Sequence, residues 1–184
     1  MKRKSTLEED YKILRTSLLS EWGEASPVCV LVTLPEGRPD LSLEIAKGLA
    51  DSMKELELSA LAVDANVFQS GEAESAPGLC EWLAGGKRPE PCDGIFPLGN
   101  PAVLSARQLL SLPDKLKQSG LPYQYYLVAC PGCAEHADIA ALAAGCDTTL
   151  LVVESGKTAR KEALKAKENL VMTRADILGV IFVK

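Results

Sequence analysis

Short, continuously apolar runs alternate along this chain with longer segments of helical periodicity. Runs of this length and composition are typical of strands that are buried on both faces of a parallel sheet. The five runs lie at residues 28–33, 58–63, 125–130, 149–153 and 177–183. Strands separated by helical segments need crossover connections, which favour parallel pairing with helices on both sides. The pattern therefore predicts a three-layer, doubly wound α/β fold with a mostly parallel sheet.

The helical segments show apolar residues three or four positions apart. One stripe runs from Leu43 to Met53 and another from Ala159 to Leu170. An amphipathic helix is predicted before the first strand, at about residues 5–20, where Ser5 and Glu8 have the spacing of a capping box.

The middle of the chain, from Gln69 to Pro101, is rich in glycine, proline and acidic residues. It contains a short helical candidate at Leu79–Leu83 and a candidate strand at Gly94–Leu98. We interpret it as an irregular connection inside one domain, because a length of 184 residues fits a single core. The prediction is a single domain over residues 1–184.

Composition excludes several functional classes. The net charge is −5 and the basic residues are scattered, so no nucleic-acid partner is expected. No long apolar run follows the basic first residues, which predicts neither a signal peptide nor direct membrane insertion. We therefore expect a cytoplasmic protein whose six cysteines are reduced.

The turn after the first predicted strand carries a resemblance to a known family. Residues 32–50 read VTLPEGRPDLSLEIAKGLA, which resembles the Walker A region of the bacterial tyrosine kinases (BY-kinases) of capsule and exopolysaccharide export. Later segments resemble the same family in the same order, namely LAVDANVF, GLCEWLAGG, IFPLGNP, YQYYLVACPG, DTTLLVVESGKTARKEA and ILGVIF. The resemblance implies a P-loop NTPase-like fold, and in intact members it implies ATP and Mg²⁺ as cofactors.

Most residues that hold the nucleotide in this family are replaced here. Aligning Leu49 and Ala50 with the family sets Leu41, Ser42 and Leu43 over the glycine, lysine and serine or threonine of the phosphate-binding motif. A working P-loop needs that lysine for charge and that hydroxyl for Mg²⁺. Tight binding of Mg-ATP by the usual route is therefore not expected.

The other nucleotide motifs are altered in the same way. Ala129 stands at the position of the Walker B carboxylate, and Asn66 replaces the second aspartate of the Asp-x-Asp pair. Asp64 is kept, either as a former metal-site residue or as the cap of a turn at the strand end. By resemblance, the vestigial cofactor site comprises Gly37, Arg38, Ser42, Leu43, Asp64 and Ala129.

These replacements favour an inactive pseudo-ATPase that serves as a regulatory or structural partner in exopolysaccharide or capsule biosynthesis, with no cofactor expected. The alternative is a nucleotide-binding ATPase or tyrosine kinase with a rewired loop, in which Arg38 supplies the missing phosphate charge.

The leading helix resembles the family's subunit-contact motif. In EDYKILR, Glu9 and Arg15 match Glu-x-x-Arg-x-x-Arg, and Lys12 replaces the middle arginine. The resemblance implies a protein partner, which is another copy of the chain, an intact kinase or a membrane polysaccharide copolymerase. It also allows recruitment to the inner face of the membrane. The alternative is a solvated charged face on an ordinary helix.

A C-x-x-C-x-x-H sequence, formed by Cys130, Cys133 and His136, follows the third long apolar run. These residue types bind zinc, with Cys146 as a fourth candidate ligand, and a C-x-x-C at a helix start can lower thiol pKa values. The alternative interpretation is a loop carrying incidental thiols, because a second ligand pair at the usual separation is absent.

Overall fold

The structure is a computed structural model that describes residues 2–23, 27–68 and 76–183, without the side chains of residues 2–7 and 39. Part of the predicted irregular connection, at residues 69–75, lies outside the described residues. Within the described residues, no helix combines the length and the apolar character needed to cross a membrane.

Six parallel strands form one sheet, in the order β3-β2-β4-β1-β5-β6. The strands are β1 (Val28–Thr33), β2 (Ala60–Asp64), β3 (Ile95–Phe96), β4 (Tyr125–Ala129), β5 (Thr148–Glu154) and β6 (Ile177–Val183). Each predicted apolar run overlaps one of the five long strands, and the candidate strand in the middle region is confirmed as the two-residue β3.

Seven helices cover the two faces of the sheet in the described part of the chain. They are α1 (Lys2–Trp22), α2 (Pro39–Lys54), α3 (Leu79–Leu83), α4 (Ala106–Leu110), α5 (Leu112–Lys117), α6 (Ala137–Gly145) and α7 (Arg160–Met172). Buried side chains of α1 and α2 pack on one face, and those of α3 to α7 pack on the other. The predicted three-layer α/β architecture is therefore confirmed.

Side chains of β1 alternate between the two faces of the sheet, which explains why the strands are continuously apolar in sequence. Cys29 and Leu31 contribute to the core beneath α3 to α7, whereas Val28, Val30 and Val32 contribute to the core beneath α1 and α2. Both faces exclude water, so neither set of positions tolerates a polar residue at low cost.

The predicted capping box at Ser5 and Glu8 is wrong, because α1 already begins at Lys2 and Ser5 lies inside the helix. The sequence Lys2 to Lys4 consists of good helix formers, which extends the helix beyond the expected start. The helical candidate at residues 79–83 is confirmed as α3.

Candidate functional site

The candidate site lies where three neighbouring strands end. The strands β2, β4 and β1 are adjacent in the sheet, so the segments that follow their carboxyl ends converge on one edge. Ligands of open α/β sheets bind at this edge. The segments are residues 34–38 after β1, 65–68 after β2 and 130–136 after β4.

The loop after β1 is bound directly to the loop after β4. The hydroxyl of Thr33 donates to the carbonyl oxygen of Pro131 at 2.6 Å. The backbone N–H of Cys133 donates to the carbonyl of Leu34 at 2.9 Å, and that of Ala134 donates to the carbonyl of Pro35 at 3.0 Å. These bonds fix the first half of the loop against its neighbour.

Gly132 allows this close approach. A Cβ atom at Gly132 would lie 2.8 Å from both the Cα atom of Glu36 and the carbonyl oxygen of Pro35. Both are backbone atoms that cannot move away as a flexible side chain would. The space between the two loops is therefore occupied by main chain.

The second half of the loop turns at Gly37, which has a φ of +85°. This left-handed conformation is costly for residues other than glycine, and a Cβ atom there would meet no other atom within 4 Å. Gly37 is thus explained by the backbone turn that leads into α2, and the turn is exposed.

A carboxylate of the chain occupies the first turn of α2. The helix begins with Pro39, and no side chain caps its N-terminus at Arg38. The hydrogen bond from Arg38 lowers the pKa of the Asp40 carboxyl below its usual value, and the backbone N–H groups of Asp40 and Leu41 lower it further. Helix N-termini attract anions, and here an internal anion is already present.

Arg38 is held by two carboxylates. Its guanidinium lies 3.0 Å from Oδ2 of Asp40 and 3.5 Å from Oε1 of Glu154, and the same Glu154 oxygen pairs with Lys157 at 2.9 Å. The hydrogen bond to Asp40 raises the pKa of Arg38 further. The one cation proposed from sequence as a phosphate ligand is therefore already paired, although 48% of its side chain is exposed.

Asn66 links Ser42, which the sequence resemblance sets at the position of the phosphate-binding lysine, to Asp64 of the Asp-x-Asp pair. The fully buried Ser42 donates from its hydroxyl to Oδ1 of Asn66 at 3.3 Å. The Asn66 amide donates from Nδ2 to Oδ1 of Asp64 at 2.9 Å, and the backbone N–H of Asn66 donates to the same oxygen at 3.1 Å. We call these three residues the Ser42–Asn66–Asp64 network. It confirms Asp64 as the cap of the turn after β2.

The remaining positions of the vestigial site are apolar. Ala129 is fully buried and ends β4 between Val32 and Asp64, so a methyl group occupies the position that the sequence resemblance assigns to the Walker B carboxylate. Leu43 is partly buried and packs on the core beneath α1 and α2. Neither side chain can bind a cation or a phosphate.

The structure does not bring together the alternative zinc ligands Cys130, Cys133 and His136. Within the described ranges, no three His, Cys, Asp or Glu side chains are close enough to share a metal ion. Cys146 instead has its Sγ atom 3.7 Å from the Sγ atom of Cys29. His136 stacks on Phe68, with ring centroids 4.1 Å apart.

The alternative of lowered thiol pKa values is contradicted for Cys130 and Cys133. Burial raises the pKa of Cys133 to about 11 and that of Cys130 well above its ordinary value. Both side chains are fully buried. They serve as small core residues beneath α6.

Arg15, predicted to contact another subunit, is used inside the chain. Its Nη1 atom donates to the carbonyl oxygen and the hydroxyl of Ser52 and lies 2.7 Å from Oε2 of Glu55. Only 11% of the Arg15 side chain is exposed, so it joins α1 to α2. The interface role stays a prediction for Arg15 and for the exposed Glu9 and Lys12.

Two acidic partners, Asp40 and Glu154, were missed by the sequence analysis. Asp40 directly follows a proline at the helix start, and an acidic residue in a first turn is a recognisable signal. Glu154 lies more than a hundred residues from Arg38, and no local pattern indicates their contact.

Comparison with known proteins gives similarity in structure alone. No protein-family model matches the sequence, and no curated protein matches it significantly. The kinase domain of Escherichia coli tyrosine kinase ETK superposes with a TM-score of 0.76 at 21% identity, covering 95% of this chain and 74% of that chain. The VpsO kinase domain gives 0.73 at 21% identity, covering 99% and 96%.

A third similar structure is cobyrinic acid a,c-diamide synthase from Mycobacterium smegmatis, solved with a bound ATP analog and magnesium. Its TM-score is 0.66 at 13% identity, covering 86% of this chain and 72% of that chain. At such identities the similarity concerns the path of the chain rather than its chemistry. The chain therefore has the same fold as the ETK and VpsO kinase domains, as its sequence resemblance predicted.

Proposed function

We propose that this chain is a catalytically inactive pseudo-ATPase that acts through protein contacts as a regulatory or structural partner in exopolysaccharide or capsule biosynthesis. The observation that carries the proposal is the Ser42–Asn66–Asp64 network, in which an amide links the residue at the motif's lysine position to the aspartate kept from the Asp-x-Asp pair. The link to polysaccharide assembly rests on the resemblance to BY-kinases.

Mg-ATP does not fit the residues present. The hydroxyl of Ser42 and the carboxylate of Asp64 already bond to Asn66, and Ala129 offers no ligand. Magnesium prefers carboxylate and water oxygens in near-octahedral geometry, and it would have to displace the amide. A triphosphate would meet the carboxylates of Asp40 and Glu154 beside the already paired Arg38.

Thermal unfolding with and without Mg-ATP or Mg-ADP tests the proposal. A ligand at a hundred times its Kd adds about 2.7 kcal/mol, which corresponds to a rise of roughly 5–10 °C for a chain of this size. We expect no magnesium-dependent rise with either nucleotide. A rise of several degrees that disappears with a magnesium chelator would refute the proposal.

The second candidate is a nucleotide-binding enzyme with a rewired loop, and the half-exposed guanidinium of Arg38 beside the start of α2 favours it. Under this candidate, Arg38→Ala abolishes nucleotide binding, whereas Arg160→Ala, at an exposed arginine that begins α7, leaves it intact. Under our proposal, neither variant nor the wild type binds nucleotide.

The partner surface is proposed to include Glu9 and Lys12 on the exposed side of α1. The partner is another copy of the chain, an intact kinase or a membrane copolymerase, and the setting is the cytoplasm or the inner face of the membrane. Light scattering of the wild type and of Glu9→Ala/Lys12→Ala tests self-association. A wild-type oligomer unchanged in the variant excludes these residues from its interface.

A further inference from the structure

A basic pocket lies away from the loops of the candidate site. Its volume is about 450 Å³, and its lining comes from the end of α3, the segment before β3 and the end of α5. Because the last two segments lead into the amino ends of β3 and β4, the pocket lies on the side of the sheet opposite to the candidate site. The lining residues are Trp82, Lys87, Arg88, Glu90, Lys115, Gln118 and Ser119.

Two of its cations are held in position by neutral groups. Lys115 donates from Nζ to the carbonyl oxygen of Trp82 at 2.6 Å and lies 5.2 Å from the centroid of the Trp82 ring. Arg88 donates from Nη1 to the carbonyl oxygen of Ser119 at 2.7 Å. Carbonyl oxygens orient these groups without cancelling their charge.

The positive charge of the pocket is not balanced by ion pairs. The ion pairs found among the described residues involve other cations, and none includes Lys87, Arg88 or Lys115. Glu90 is the only acidic residue of the lining, which leaves a formal charge of two positive units. This concentration stands out on a chain whose net charge is −5.

We propose that the basic pocket binds a phosphate-bearing anion. A phosphate carries close to two negative charges at neutral pH, which matches the formal charge of the lining. Arg88 offers the remaining donors of a planar fork, and Lys87 and Lys115 offer point charges from other positions. The same chemistry is available from a small phosphate compound and from a phosphomonoester lipid headgroup.

The test uses inorganic pyrophosphate and vesicles of phosphatidylcholine with or without phosphatidic acid. Binding of each probe is compared between the wild type, Lys87→Gln/Arg88→Gln and the control Lys161→Gln/Lys165→Gln, which removes two exposed lysines of α7. Lys115 is left unchanged because it also caps the carbonyls at the end of α3.

We expect pyrophosphate to raise the melting temperature of the wild type and of the control, with an affinity at least about tenfold weaker in the pocket variant. If the wild type co-sediments with phosphatidic acid vesicles and the pocket variant does not, the source of the phosphate is a lipid headgroup. If the wild type binds pyrophosphate but does not co-sediment with the vesicles, the source is a small phosphate compound. No response of the wild type to either probe, or an equal response of the pocket variant, would overturn the proposal. The pocket shares no residue with the nucleotide loops, so either result is independent of the Mg-ATP test.

Discussion

The substitution Asn66→Asp replaces the amide donor of the Ser42–Asn66–Asp64 network with a second carboxylate of nearly the same shape. Asn66 is fully buried, and its Nδ2 atom lies 2.9 Å from Oδ1 of Asp64. The substitution therefore converts an attractive contact into a contact between two acidic oxygens without creating a cavity.

Two contributions set the expected loss of stability. A hydrogen bond to a charged group contributes about 1.5–3 kcal/mol, and a buried charge left without its partner costs more. Partial protonation of the new pair limits the cost, so we expect Asn66→Asp to lower the free energy of unfolding by roughly 2–4 kcal/mol at neutral pH.

The loss should depend on pH with a definite sign. Two neighbouring carboxyls raise the pKa of the pair in the folded protein above the value of about 3.9 in the unfolded chain. The folded variant then binds more protons than the unfolded one, so its stability falls as pH rises through this interval. In acid, a protonated side chain can again donate to Asp64, and the variant should approach the wild type.

Urea unfolding from pH 4 to pH 8 measures this difference. Asn100→Asp is the matched control, because Asn100 uses Oδ1 as an acceptor for the backbone N–H of Ala102 at 3.0 Å, a role that aspartate keeps. We expect the control to follow the wild type at every pH. Equal stability of Asn66→Asp and wild type at pH 7 would refute the network.

Three further substitutions or measurements test other contacts. Gly132→Ala sets a Cβ atom 2.8 Å from two backbone atoms of the neighbouring loop, and urea unfolding should show a loss of about 1–3 kcal/mol; an unchanged midpoint would contradict this packing. Arg15→Gln should lower the free energy of unfolding by about 1 kcal/mol in the same assay and leave the oligomeric state unchanged. Loss of an oligomer with unchanged stability would instead show that Arg15 contacts another subunit. At pH 8, Ellman's reagent should modify the exposed Cys92 rapidly. Cys130 and Cys133 should react only after unfolding, because burial raises the pKa of both thiols. Rapid modification of Cys130 or Cys133 in the folded protein would contradict their burial.

Local patterns predicted the sheet and the long helices because the apolar positions within each segment show which of its faces are buried. The short helices α4 and α5 were not predicted, whereas the equally short α3 was. A local signal did exist for α4: Ser105 and Gln108 form a capping box, with the Gln108 side chain accepting from the Ser105 backbone N–H at 2.9 Å.

The losses at the candidate site stay a prediction, whereas its internal contacts were not predicted. By resemblance, the positions of Ser42 and Ala129 indicate the loss of a lysine and a carboxylate, because a motif is a local pattern. The hydrogen bond between Ser42 and Asn66 joins residues from α2 and from the loop after β2, and the fold alone brings them together. Arg15 shows the same limit, since its motif position gave no sign of the internal partner Ser52.

Isothermal titration of the purified chain with Mg-ADP tests the central claim, that internal groups have taken over the nucleotide site. The account predicts no magnesium-dependent saturable heat up to millimolar nucleotide. Magnesium-dependent binding with a micromolar Kd, about 8 kcal/mol of binding free energy, would contradict it.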